Sequence, residues 1–207
     1  MVRLLQIYNQ YRSLFGGEEK VVHRIADLVE RNGGEARLLM RSSRGLDESI
    51  SGKTKAFFSG IYNPFARRDV ARYLKTYRPD VTHVHNLYPL FSPAVLTALR
   101  QAGIPVVMTV HNHFHTCPTA DHLRNGCVCE LCVNGREYHC VLQNCRGRIT
   151  ESVGYALRSA AARKLRLFTD NVDVVIALND FAKERLVRAG FPRERCPDAW
   201  SNRPWLG

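Results

Sequence analysis

A doubly wound parallel α/β sheet is the fold class this sequence predicts, on three observations. Short apolar runs alternate with segments of helical period over most of the 207 residues. Residues 2–8 are apolar almost without a break, as befits a strand buried on both faces. Two further runs, Val81-Thr82-His83-Val84-His85-Asn86 and Pro105-Val106-Val107-Met108-Thr109-Val110-His111-Asn112, each end on a His-Asn pair. In an open parallel sheet, residues just past a strand's C-terminal end face the ligand crevice. These joins therefore mark a candidate active-site edge carrying two histidines. A hydrogen-bonded structural histidine is the plainer reading of either one taken alone.

The elements follow in order. After the first strand, residues 13–17 form a turn. From Glu18 the chain reads as a helix with Val21, Val22, Ile25, Leu28 and Val29 on one face. Asn32-Gly33-Gly34 ends it with residues that tolerate positive φ. Residues 36–40 make a second short strand, and residues 41–60, rich in Ser, Gly and Lys, read as a mobile loop. Asn63-Pro64 opens a helix to Tyr77, before Pro79. Residues 81–84 are the third strand. Ser92-Pro93 predicts a helix start, with Ser as the cap and Pro at the first helical position, and that helix runs to Gly103. Residues 106–110 are the fourth strand.

Residues 113–148 break the rhythm and hold six of the seven cysteines. Residues 150–168 return to a helix, with Val153, Ala156, Leu157, Ala160, Ala161, Leu165 and Phe168 along a broad apolar face. Residues 172–178 are the fifth strand. Asn179 caps a last helix that stops at Gly190.

The length allows one large domain or two small ones. Hydrophobic content of 45% and charged content of 24% are ordinary for a globular chain. A net charge of +11 is not, and it draws anions: nucleic acid, anionic lipid or a phosphorylated substrate. The basic residues are spread out, with no aromatic interleaving and no known nucleic-acid module, so nucleic acid is not an expected partner. The N-terminus does not read as a signal peptide, and no apolar stretch is long enough for a membrane span. Together with the odd cysteine count, this predicts a cytoplasmic chain with reduced thiols.

Three segments carry chemistry. Gly16-Gly17, between the first strand and the first helix, lets a backbone approach a pyrophosphate at a helix start, or is simply a turn. It is not the dinucleotide fingerprint, which disfavours nicotinamide and flavin. Among the histidines, His85 and His111 suit a sugar hydroxyl or proton transfer near neutrality. His113 and His115 alternate with His111 and would share one side of an extended segment, a possible metal site. Among the cysteines, Cys129-x-x-Cys132 followed by Cys140 and Cys145 has the spacing of a structural zinc knot; the plainer reading is a cluster of free thiols. The basic helix around Arg158, Arg163, Lys164 and Arg166 could lie on a membrane surface, or pack on the protein's own core.

Taken together, several motifs resemble the N-terminal, acceptor-side domain of family 4 glycosyltransferases, retaining enzymes of the GT-B fold. They are Gly16-Gly17-Glu18-Glu19, His85-Asn86-Leu87-Tyr88-Pro89 before Ser92-Pro93, the His111-Asn112 strand, Cys117-Pro118, the two cysteine pairs, and Ala177-Leu178-Asn179-Asp180-Phe181-Ala182-Lys183. The likeness covers residues 1–195, a Rossmann-like domain with the Cys-rich insertion 113–148, and leaves residues 196–207 as an atypical tail. It implies transfer of a sugar from a nucleotide-sugar donor to an acceptor hydroxyl, with retention and without a catalytic metal, in polysaccharide or glycoconjugate biosynthesis. On it, Gly16 and Gly17 approach the donor, His111 lies at the reacting centre, and His85, Asn86 and Asn112 line the acceptor side. The acceptor would be a glycan or a lipid-linked molecule, with peripheral membrane association at the inner face.

The resemblance also implies a C-terminal donor-binding domain that this sequence lacks. The expectation is a truncated, frame-shifted or split enzyme that is inactive alone. The alternative is a non-catalytic, zinc-stabilised module that recognises a glycan or a protein.

Overall fold

The computed structural model describes residues 1–10, 16–43 and 59–198. Most of the expected loop at 41–60 and most of the tail lie outside the described residues. The elements are β1 (Arg3–Gln10), α1 (Gly17–Arg31), β2 (Glu35–Ser42), α2 (Pro64–Thr76), β3 (Val81–Val84), α3 (Ala94–Gln101) and β4 (Val106–Val110). The insertion supplies β5 (Leu123–Arg124), β6 (Cys127–Val128) and α4 (Tyr138–Leu142). Then come α5 (Ile149–Lys164), β7 (Val174–Ala177), α6 (Asp180–Arg188) and a short 3-10 turn, Arg193–Arg195.

β1, β2, β3, β4 and β7 form one parallel sheet in the order β2-β1-β3-β4-β7. The sheet is doubly wound and Rossmann-like, as expected. From β1 the chain crosses to β2 on one side, then returns past β1 to place β3 on the other. That reversal opens a crevice above the C-terminal ends of β1 and β3.

Every residue of β1 after Arg3 is buried, which suits the apolar Leu4, Leu5, Ile7 and Tyr8 and makes the buried Gln6, Asn9 and Gln10 conspicuous. β2 is the edge strand and longer than its apolar run; Leu38 and Met40 are exposed. The core joins Leu5, Ile7, Val84, Val106, Met108 and Val175 of the sheet to Val70, Leu96, Leu99 and Phe91. Full burial of such side chains contributes about 1.5–3 kcal/mol each.

Local chemistry explains the helix starts. Asn63 Oδ1 accepts from Ala66 N at 3.0 Å, with Pro64 at the first position of α2. Asn179 Oδ1 accepts from Ala182 N at 2.8 Å at the start of α6. Asn179→Ala should cost about 1 kcal/mol in urea unfolding, and Asn179→Ser much less; equal losses in both would show that the cap is not the cause.

Two helix expectations are corrected. Ser92 does not adopt the extended backbone of an ordinary cap, because its φ is +58°. Its Oγ still accepts from Ala94 N (3.3 Å) and also from Asn63 N (2.9 Å), tying the starts of α2 and α3 together. α5 ends at Lys164, where Arg166 turns to φ +51°. Its buried residues are the small ones, Ser152, Gly154, Ala156 and Ala162, while Leu157 and Leu165 are exposed. Two of its basic side chains are engaged within the protein. Arg158 lies over the Tyr88 ring at 4.3 Å and donates to Pro118 O, and Arg163 pairs with Glu137 at 2.6 Å. No helix among the described residues is long and apolar enough to cross a membrane.

Candidate functional site

The switch point gathers side chains from β1, α1 and the ends of β3 and β4. On a strand, residues two apart share a face, so β3 aligns His83 with His85. Their rings stack at 4.3 Å, and His111, just past β4, continues the stack with its ring 5.3 Å from His85.

Hydrogen bonds order this stack through one chain of donors and acceptors. A backbone carbonyl only accepts, so Gln6 Nε2 donates to Val22 O at 2.9 Å, and Gln6 Oε1 turns to His85 Nε2 at 3.1 Å. His85 Nε2 must therefore carry the proton, and its Nδ1 is the acceptor. His111 Nε2 lies 3.0 Å from that Nδ1 and must donate. In a neutral imidazole this leaves His111 Nδ1 as a bare acceptor, and His111 makes no other hydrogen bond among the described residues.

Neutrality follows from burial. Desolvation, reinforced by repulsion from His83 and His111, pushes His85 down to about 2. Desolvation alone takes His111 to about 4, and it lowers His83 to about 4 with help from His111. His83 Nε2 pairs with Thr109 Oγ1 at 2.8 Å.

The assignment is open to test by 15N NMR of the imidazoles at pH 7. His111 should show a protonated Nε2 and an unprotonated Nδ1. Gln6→Leu should release that tautomer and cost about 1–3 kcal/mol, since it leaves a buried N–H unpaired. A Gln6→Leu spectrum identical to wild type at His85 and His111 would rule the chain out.

Opposite the histidines stands the start of α1. Asn86 N donates to Glu18 Oε1 at 3.0 Å. Burial nonetheless outweighs that bond and raises the Glu18 carboxyl to about 7. Beside it, Gln10 Nε2 donates to Glu19 Oε1 at 2.9 Å, both residues being buried. Gly16 and Gly17 are exposed, have ordinary negative φ, and would find open space around an added Cβ. Among the described residues nothing requires glycine at either position. Among the described residues no side chain caps α1, and free amides at a helix start suit an anion.

Asn86 and Asn112 are committed to the loops they open. Asn86 Nδ2 donates to Asn9 O and Tyr88 O, and its Oδ1 accepts from Tyr88 N at 3.1 Å. Asn112 Oδ1 accepts from Phe114 N at 3.1 Å. Asn9, at the end of β1, accepts from Leu90 N and donates to Ser43 Oγ. Sequence reasoning missed Gln6, His83 and Asn9 as members of this site.

The two candidate metal sets are placed differently. His111, His113 and His115 would share a side only in an extended segment, but the chain turns, with Thr116 N bonded to His113 O at 3.0 Å. His113 packs against His122 and Phe181, and His115 against Phe168 and Phe191. The cysteines do become neighbours: the Cys132 thiol is pushed to about 12 by burial first, then by Cys117, Cys140, Cys145 and Cys129. Yet Cys140 is buried, Cys145 exposed, and Cys129 and Cys132 intermediate. Among the described residues no three His, Cys, Asp or Glu are arranged to hold a metal ion.

Comparison with known proteins adds the following. Residues 15–197 match the sequence model of Glycosyltransferase Family 4. No sequence among the curated proteins matches. The S. aureus MnaA–UDP complex is similar in fold at 10% identity and a TM-score of 0.50, over 95% of this chain and 43% of that one. Lipopolysaccharide outer core galactosyltransferase WaaB, in its apo form, matches at 13% identity and a TM-score of 0.49, over 95% of this chain and 45% of that one. The chain thus spans less than half the length of either.

Proposed function

With residues 15–197 matched by its sequence model, the chain belongs to Glycosyltransferase Family 4, and on that premise we propose that it forms the acceptor-side half of a sugar-transferring enzyme. The donor is a nucleotide sugar, the acceptor a hydroxyl of a glycan or lipid-linked molecule, and the product retains the anomeric configuration. The observation that carries this reading is the pair of neutral imidazoles, His85 and His111, joined at 3.0 Å beside the sheet's switch point. The bare Nδ1 of His111 suits a sugar hydroxyl as donor. Gly16 and Gly17, with nothing among the described residues within 4 Å of an added Cβ, suit the approach of a pyrophosphate to the start of α1. With its carboxyl raised to about 7, Glu18 is about half protonated near neutrality and repels that anion less than an ordinary carboxylate would. The overall charge of +11 favours both a nucleotide and a phosphorylated acceptor.

In the transfer, the acceptor oxygen bonds to the anomeric carbon while the carbon–phosphate-oxygen bond breaks. The electron pair departs with the nucleoside diphosphate. A His111 held near 4 is a poor base, so the acceptor proton leaves on the more basic phosphate. His111 acts by orienting hydroxyls.

The test is a transfer assay with a panel of nucleotide sugars, with and without a nucleotide-binding second domain supplied as a separate polypeptide. Transfer is expected only with both. Turnover by the chain alone would refute the split of roles, and no transfer from any donor with both present would refute the function.

A further inference from the structure

The insertion between β4 and α5 is poorly supplied with core. Its regular elements are the two-residue strands β5 and β6 and the five-residue α4. Its buried apolar side chains are Phe114, Pro118, Val133 and Cys140, while Leu123, Val128, Leu131, Tyr138 and Leu142 are exposed. A loop-rich segment with so little burial needs a covalent or metal staple to hold one shape. Disulfides do not supply it, because its cysteines are free. The segment is nonetheless fixed to the domain by two ion pairs, Arg163 of α5 with Glu137 and Arg185 of α6 with Glu130.

Four of its thiols sit in two turn-held pairs. Cys129 and Cys132 flank a tight turn in which Val133 N donates to Glu130 O at 3.1 Å, and the chain continues through Asn134 at φ +62° and Gly135 at φ +84°. Cys140 and Cys145 close the end of α4, where Cys145 N donates to Cys140 O at 3.0 Å beyond Asn144 at φ +44°. Their thiols interact directly. Cys132 lies near Cys117, Cys129, Cys140 and Cys145, so the two pairs share one neighbourhood.

Five thiols are thus at hand for the four positions of a tetrahedral ion. Cys117 belongs to neither pair, and its sulfur has a partner in Thr119 Oγ1 at 3.2 Å. The other four have the C-x2-C and C-x4-C spacing of structural zinc sites. As neutral thiols they have no reason to converge, and as they stand no three are arranged to hold an ion. Burial and mutual repulsion push Cys132 and Cys140 to about 12, which penalises thiolates without a cation. A dication inverts that preference, because it binds the deprotonated sulfur. The nearby Arg146 guanidinium already favours a thiolate at Cys140 and offsets part of the added negative charge.

We propose that the insertion is a structural zinc site with Cys129, Cys132, Cys140 and Cys145 as its ligands. On binding, each thiol gives its proton to solvent and each sulfur bonds to Zn2+, with no electron transferred. The turns fix the backbone, and the side chains rotate inward onto the ion. Four protein ligands leave no open position for a substrate, so the ion holds shape and takes no part in chemistry. Nothing in this proposal rests on the glycosyltransferase reading.

The full chain, purified under reducing conditions and stripped with a chelator, is titrated with zinc and separately with cobalt(II). One equivalent of zinc should bind, release protons and raise Tm. Cobalt should give the sulfur-to-metal charge-transfer band and visible bands of a tetrahedral thiolate site. X-ray absorption of the zinc form should show sulfur neighbours alone, at about 2.3 Å. Loss of a ligand's outer partner costs about 10–100-fold in metal affinity. Loss of a ligand itself, in Cys129→Ser or Cys145→Ser, should therefore weaken zinc by more than about 100-fold. Neither residue is buried, so the metal-free Tm of both variants should stay near wild type. Cys117→Ser should bind zinc as wild type. The proposal is overturned if the stripped chain takes up no zinc, if the bound zinc has nitrogen or oxygen neighbours, or if Cys145→Ser binds as tightly as wild type. Zinc lost in Cys117→Ser but kept in Cys129→Ser would overturn the ligand assignment.

Discussion

His111→Ala should lower kcat/KM for sugar transfer, measured with the second domain present, by about 100-fold or more, the range expected when a positioned polar group at a reacting centre is lost. The substitution removes the bare Nδ1 that orients a hydroxyl, and it also leaves His85 Nδ1 without its donor at 3.0 Å. His111→Gln should recover part of the loss, because an amide can donate to His85 and still present an oxygen. The split between constants locates the effect: a change in KM alone places His111 in ground-state binding, while an equal fall in kcat and kcat/KM places it in the transition state. A His111→Ala enzyme with the wild-type rate would remove His111 from the site.

The second large effect concerns Glu18. Its folded-state value, about 7, lies above the ordinary 4.5, so the folded protein keeps a proton that the unfolded chain has lost. At pH below 4.5 both states are protonated and Glu18 contributes nothing. As pH rises from 4.5 to 7 the unfolded state is favoured progressively, and above 7 the penalty is complete. With allowance for partial exposure, the penalty is roughly 2–3 kcal/mol. Glu18→Gln keeps an oxygen for Asn86 N and removes the charge. It should therefore exceed wild type in unfolding free energy by about that amount at pH 8 and match it near pH 4, as read by urea denaturation at the two values. A Glu18→Gln protein less stable than wild type at pH 8 would mean that the carboxylate is stabilised where it stands.

Much of the fold was legible because its signals are local. β1, β3, β4 and β7 are apolar runs bounded by turn residues, and the asparagine caps of α2 and α6 sit directly before their helices. β2 was read too short because the charged Glu35 and Arg41 and the polar Ser42 flank its apolar run. The packing of α5 was misread because that helix approaches its neighbours through Gly and Ala, while its leucines face outward. Among the candidate site residues, His85 and His111 were readable from the sequence because both follow strands. Gln6 was not, since its partner lies 79 residues away, and the Asn86–Glu18 bond spans 68. The one available clue was a polar residue inside a strand buried on both faces, which must find a partner. Cysteine spacing pointed to a cluster, and Cys132 does lie near Cys117, Cys129, Cys140 and Cys145.

The loop after β3 has a consequence for any ligand that arrives there. Asn9, Asn63 and Asn86 each spend their side chains on its backbone, at Leu90 N, Leu90 O and Tyr88. The rim of the crevice is thus preorganised, and little chain entropy is lost when something binds. Association should then be governed by the guest's own rigidity, with stiff rings captured more readily than floppy chains of equal contact area.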